Sequence, residues 1–237
     1  MCTLSWTLGE EGYLVAVNRD ERRSRLPAAP PLLQRGPAGV FLAPVDGDAG
    51  GTWIAVNEHG LALALLNAPL AVLERPPESY TSRGQLVRAL AGATDLTVVA
   101  AALGTGNLGP FRGFTLAAFS PGAAPRAWTW NGAVLTGALE PVSPLISSPL
   151  PDPAIAASRR SAFAAARPGA VQDLLALHAS HAPVRGPRSI CMHADEAGTV
   201  SLTLVEVQRD EVSMRYAAGP PCEVELGPAL RLARRSR

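Results

Sequence analysis

Two β-like runs, the alternating residues 3–8 and the apolar residues 13–17, open the chain and are separated by Gly9-Glu10-Glu11-Gly12. That spacing predicts a β-hairpin. Residues 21–31, rich in Arg and Pro, read as a loop leaving it. A second hairpin is predicted from residues 52–56, the turn Asn57-Glu58-His59-Gly60, and residues 61–66. Its second strand is apolar at every position, as in a strand buried on both faces. Residues 82–91 and 96–103 read as helices, with Ser82 and Thr94 as N-caps. Strand patterns resume at 114–119, 126–130 and 133–136. Helices are predicted at 154–166 and 171–181, broken by Arg167-Pro168-Gly169. Three strands at 189–193, 199–207 and 212–217 follow, then a basic, disordered tail over 227–237. Strands, helices, strands, helices, strands is the order of one α+β domain over 1–226, in which a helix pair covers each outer face of two packed sheets.

Composition narrows the chemistry. At 237 residues, 47% hydrophobic and 17% charged, the chain is an ordinary globular one. Lys+Arg is 21 against 20 Asp+Glu, a net charge of +1, so no bulk field draws in nucleic acid or an anionic membrane. Every one of the basic residues is arginine, which excludes a Schiff-base lysine and a Walker-type phosphate lysine. No run approaches the roughly 18 apolar residues of a spanning helix. The start lacks the basic and apolar regions of a secretory signal. Three cysteines are too few, and odd in number, for a disulfide framework. A cytoplasmic protein is expected; nothing indicates its oligomeric state.

Cys2 is the first candidate for chemistry. Loss of Met1 would leave a cysteine whose own α-amine stands next to its thiol, nucleophile and base in one residue; otherwise Cys2 is a small core residue. Asn18-Arg19-Asp20-Glu21 ends the second strand, and a hairpin returns it to Cys2. There an Asp can hold a protonated amine and an Arg can favour a thiolate. Asn67, after a central strand, either opens a turn or aims an amide at a developing oxyanion. Trp128 and Trp130 share one strand face and are candidates to line a ligand cleft. His178, His181, Cys191 and His193 lack a Cys-x-x-Cys or His-Glu-x-x-His companion, so no metal and no cofactor is expected. Cys191 and Cys222 read as core residues. Gly104-x-Gly106-x-x-Gly109 follows a helix rather than a strand, which excludes a dinucleotide loop.

Taken together, Met1-Cys2-Thr3-Leu4, Asn18-Arg19-Asp20-Glu21 and Asp46-x-x-Ala49-Gly50-Gly51-Thr52-Trp53 resemble the NRDE, or transport-and-Golgi-organisation, family. The resemblance implies the N-terminal-nucleophile (Ntn) hydrolase fold, a four-layer αββα sandwich of two mainly antiparallel sheets. Asn57-Glu58-His59-Gly60-Leu61 with Leu66-Asn67 is also similar to a stretch of bile salt hydrolases and penicillin V acylases. That similarity implies Cys2 as nucleophile, Asp20 and Arg19 beside it, Asn67 at the oxyanion and Arg188 as the late active-site arginine. Asn18 and Trp53 are then expected at the substrate. Two departures stand out. The acylases carry Arg-Asn-x-Asp where this chain has Val17-Asn18-Arg19-Asp20, and an Asn before a Pro where it has Ser147-Ser148-Pro149. The implied function is an amidohydrolase acting on an N-acyl compound through a thioester. The alternative is a non-catalytic carrier of haem or of a lipid or acyl-CoA ligand, functions linked to the family.

Overall fold

A computed structural model gives the structure of the protein, describing residues 2–36, 38–69, 76, 79–147 and 152–235. The chain opens with the expected hairpin, β1 (Cys2–Leu8) and β2 (Tyr13–Arg22). These two strands lie inside a six-stranded sheet with β10 (Leu145–Ser147), β11 (Ala197–Val207), β12 (Glu211–Ala217) and β13 (Leu230–Ala233), in the order β10-β1-β2-β11-β12-β13. A seven-stranded sheet runs in sequence order through β3 (Ala29–Gly36), β4 (Gly39–Val45), β5 (Ile54–Asn57), β6 (Ala62–Asn67), β7 (Phe114–Phe119), β8 (Arg126–Trp130) and β9 (Leu135–Leu139). The pairings within both sheets are antiparallel.

Strand alternation assigns the layers. Cys2, Leu4 and Trp6 of β1, Val15 and Val17 of β2, and Ala62, Ala64 and Leu66 of β6 share the core between the sheets. Leu61, Leu63 and Leu65, next to those β6 residues, turn to the opposite side with Leu116 and Phe114. There they meet Leu86, Val87 and Leu90 of α1 (Arg83–Leu90) and Val99 and Leu103 of α2 (Leu96–Thr105). Each such leucine, fully removed from water, contributes about 1.5–3 kcal/mol. On the outer side of the first sheet lie α3 (Pro153–Ala166) and α4 (Val171–His178). That face carries buried polar residues, Thr3, Ser5, Asn18 and Asp20, as well as Leu202 and Leu204. The result is helices, sheet, sheet, helices, as the resemblance implies.

Several local expectations change. β2 runs on to Arg22 and β3 starts at Ala29, so the segment read as a loop keeps residues 23–28 and gives its two ends to strands. Residues 189–193 form no named strand; their backbone bonds to turns, Cys191 N–H to Ser180 O and His193 N–H to Gly186 O. The segment read as a disordered tail carries β13, which pairs with β12 from Glu211↔Ala233 to Met214↔Leu230. Asp95, not Thr94, caps α2, accepting from Thr97 and Val98 N–H, and Ser82 makes no side-chain cap bond.

Candidate active site

Cys2 starts β1, between two neighbouring strands. It is directly opposite Arg19 of β2 on one side and Ser147 of β10 on the other. Its backbone N–H donates to Ser147 Oγ at 3.0 Å. The thiol is free, and at 9% exposure it is almost closed off. Burial pushes it above its ordinary value and the Asp20 charge adds to the rise, while Arg19 and the Asp20 backbone N–H pull it down. Of the two serines in Ser147-Ser148-Pro149, Ser147 is the one bonded to the Cys2 nitrogen; Ser148 lies outside the described residues.

Arg19 shares the Cys2 face but is held from the other sheet. Its Nη2 donates to Asp46 Oδ2 at 2.5 Å and to Glu21 Oε2 at 3.3 Å, and its guanidinium carbon sits 4.7 Å from the Trp53 ring centre. Asp46 in turn accepts from Arg25 and from the Ala49 and Asp48 N–H groups. Gly50 follows at φ +62°, the left-handed region that glycine enters without a Cβ penalty. Gly51 packs so closely on α1 that a Cβ there would fall 2.7 Å from the Gly84 carbonyl carbon. Thr52 N–H and Gln85 Nε2 close the contact, donating to Gly84 O and Ala49 O. This docking sets Arg83, the first residue of α1, within electrostatic reach of Cys2 and Glu21. Burial, then Arg112, lowers the Arg83 guanidinium to about 10. Nothing in the local sequence marks Arg83, since an Arg at the start of a helix reads as a solvated side chain.

On the outer face of the same sheet Asp20 is fully buried. Its Oδ2 accepts from Arg159 Nη1 at 2.9 Å and its Oδ1 from Thr199 Oγ1 at 2.6 Å. Arg159, on α3, is also fully buried, bonding Thr3 Oγ1 at 2.7 Å and Pro187 O at 3.3 Å. Arg159 is thus a cation buried against Asp20. Arg188 is exposed and reaches Asp152 at 3.4 Å, so only the backbone of its neighbour Pro187 touches this network. Asn18, expected at the substrate, instead ties α4 and the following loop to β2, donating to His178 O and Ile190 O. His178 Nε2 lies 2.6 Å from Ser5 Oγ, and burial, then Arg159, lowers it to about 3.

The other expected residues lie apart from Cys2. Trp128 packs under α1 and α2 with Trp130 against the same cluster, and Trp130 Nε1 donates to Phe111 O. Both tryptophans therefore fill the helix-covered layer and line no cleft at Cys2. Trp53 is buried beneath Arg19, and its indole N–H has no hydrogen-bond acceptor among the described residues. Asn67 is exposed at the end of β6, where alternation puts Leu66 toward Cys2 and Asn67 with Leu65. A groove of about 450 Å³ runs past Arg19, Arg22, Arg23 and Arg25 to Arg185 and His193. At that far end His181, Cys191, His193 and Cys222 converge, whereas His178 does not join them.

Residues 1–131 match the family described as Transport and Golgi organisation 2. The chain belongs to that family. No curated protein matches it in sequence. Its fold is that of Ntn hydrolases. A mutant of conjugated bile acid hydrolase from Clostridium perfringens superposes with TM-score 0.58 at 11% identity, over 98% of this chain and 92% of that one. Penicillin V acylase from Agrobacterium tumefaciens gives 0.53 at 13% identity, over 98% and 86%. The Caenorhabditis elegans ortholog of N-acylethanolamine-hydrolyzing acid amidase gives 0.57 at 8% identity, over 86% and 92%. At such identities the likeness carries the fold alone. No helix among the described residues is long and apolar enough to cross a membrane.

Within this Transport and Golgi organisation 2 member, the family tetrapeptide splits between two faces by alternation. Arg19 faces the thiol between the sheets; Asn18 and Asp20 face the helices and anchor α4 and α3. The arrangement can hold a thiol with its own nitrogen anchored, two arginines in range, and a rigid floor beneath.

Proposed function

We propose that the protein is a cysteine amidohydrolase of the N-terminal-nucleophile type, cleaving a non-peptide N-acyl compound that carries an acidic group. The observation that carries this reading is the setting of Cys2: its nitrogen bonds Ser147 Oγ at 3.0 Å while its thiol faces Arg19. With Met1 removed, that nitrogen is an α-amine. Because burial keeps the thiol protonated, a base has to take its proton, and the amine is attached to the same residue. The thiolate Sγ adds to the amide carbonyl carbon. The C–N bond then breaks, the leaving amine takes the proton from the α-ammonium, and a thioester remains. Water adds with the amine again as base, the acid departs, and the thiol is restored. Arg83 suits a substrate carboxylate. Asn67 is the amide this mechanism needs at the oxyanion, and reaching it requires the side chain to turn across the end of β6.

A second reading, a carrier of an anionic ligand such as haem or an acyl-CoA, is favoured by one observation: the arginine-lined groove borders Arg19 but not Cys2. Intact mass separates the two, taken before and after brief exposure to a thiol-directed electrophile near neutral pH, with Cys2→Ala alongside. The hydrolase reading expects Met1 absent and one fast adduct that Cys2→Ala loses, followed by turnover in an N-acyl substrate panel. Retained Met1, or a Cys2 no faster than an ordinary thiol, overturns it in favour of the carrier.

A further inference from the structure

Four side chains that the mechanism does not use meet at the end of the groove. His181 follows α4, Cys191 and His193 lie in the loop leading to β11, and Cys222 lies in the turn after β12. Their ligand atoms all fall within 4.8 Å of one another. Cys191 Sγ is 3.5 Å from Cys222 Sγ, His181 Nε2 is 3.2 Å from His193 Nε2, and His193 Nε2 is 3.6 Å from Cys191 Sγ and 3.4 Å from Cys222 Sγ. Zinc bonds of about 2.3 Å to sulfur and 2.0–2.1 Å to nitrogen make tetrahedral edges of about 3.8 Å between sulfurs, 3.3 Å between nitrogens and 3.5 Å for mixed pairs. Those four contacts match these edges to within about 0.3 Å.

We propose that His181, Cys191, His193 and Cys222 form a closed tetrahedral site for a zinc-type divalent cation. Two thiolates and two neutral imidazoles cancel the charge of the ion, and a thiolate–imidazole set selects a borderline-soft metal over magnesium or calcium. On binding, the two thiol protons pass to solvent. The ligands are held in place by backbone rather than by flexible chains. Cys191 N–H bonds Ser180 O, His193 N–H bonds Gly186 O, and Glu223 and Val224 N–H both bond Pro220 O around Cys222. With four protein ligands no position is left for water, so the role is structural: the ion ties the loop before β11 to the turn after β12. Those segments supply His193, Gly219, Pro220 and Glu223 to the groove wall. Arg185 Nη2 stands 3.2 Å from His193 Nδ1 and 2.8 Å from Glu223 Oε1. Ligation through Nε2 leaves the proton on Nδ1, so Arg185, a half-exposed side chain, keeps Glu223 and gives up Nδ1.

The test is metal content of the purified full chain by mass spectrometry of the elements, followed by titration of the metal-stripped protein with Zn²⁺ and with Co²⁺. One zinc per chain is expected, with a Co²⁺ spectrum showing thiolate-to-metal charge transfer and tetrahedral ligand-field bands. Cys222→Ser and His193→Ala should each weaken zinc by more than about 100-fold, beyond the 10–100-fold typical of losing an outer partner. Cys2→Ala should bind as the parent does, which separates this site from the proposed nucleophile. Substoichiometric zinc, an octahedral Co²⁺ spectrum, or a Cys191–Cys222 disulfide persisting under mild reductant would each overturn the proposal. Because the Co²⁺ spectrum is read on the unaltered chain, a variant that fails to fold leaves the test intact.

Discussion

Replacing Arg159 with methionine, a side chain of similar reach without the charge, isolates what the buried ion pair does. Both partners are wholly shielded from solvent, with Nη1 and Oδ2 2.9 Å apart. Charges at 3–4 Å attract by about 4–6 kcal/mol at an effective dielectric constant near 20. Desolvating the two ions costs several kcal/mol each, so the pair is close to neutral as a whole. Removing one member is different. Arg159→Met leaves the Asp20 carboxylate buried opposite Thr199, and the expected loss is about 3–5 kcal/mol of unfolding free energy. That is a large share of the roughly 5–15 kcal/mol typical of a domain. Asp20→Asn should also destabilise, because Arg159 is then the stranded ion. The double variant should lose at least about 2 kcal/mol less than the sum of the singles. Urea unfolding at pH 7 measures all four proteins. An Arg159→Met protein within 1 kcal/mol of the parent, or singles that simply add, would refute the reasoning.

Two further outcomes follow from burial and close packing. His178 titrates near 3 folded against an ordinary 6.5, so between those values the unfolded chain binds the extra proton; stability should fall by about 2 kcal/mol from pH 7 to pH 5, and His178→Gln should remove that slope in urea titrations at each pH. Gly51→Ala forces a Cβ against the Gly84 backbone and should cost about 1–3 kcal/mol or more, lowering Tm by several degrees, whereas Gly50→Ala meets only open space and pays about 1 kcal/mol for its positive φ; equal Tm values would contradict this.

What the sequence revealed and what it hid have physical reasons. The β1–β2 hairpin and the β5–β6 pair were legible because alternating or apolar runs flank short glycine turns, and β7 and β8 because their bounds coincide with Pro and Gly punctuation. The β3–β4 hairpin was not. β3 is an edge strand, where Pro30 and Pro31 are tolerated and Leu32 and Leu33 stay exposed, so neither a donor pattern nor an apolar face announces it. At the site, the hairpin argument placed Arg19 beside Cys2 from geometry alone. Arg159 was hidden because Ser158-Arg159-Arg160 in an alanine-rich helix looks like a solvated face, yet Arg159 is fully buried while Arg160 is exposed. The metal-type cluster was hidden for another reason: its fourth member, Cys222, lies beyond two intervening strands, so no local spacing encodes it.

The family signature is, for the most part, a device for positioning. Asp46 and Trp53 hold Arg19 from below, and Gly50 and Gly51 press the loop onto α1. The cost is that Arg19 is already neutralised by Asp46 and Glu21, and Asp46 is shared with Arg25. An arginine so engaged lends little net positive potential to its neighbour, and the Cys2 thiol accordingly stays raised by burial. Such a thiol is inert until a proton acceptor is built in beside it. On the hydrolase reading proposed above, the chemistry therefore turns on the Cys2 nitrogen that Ser147 already holds, more than on any charged side chain in the signature.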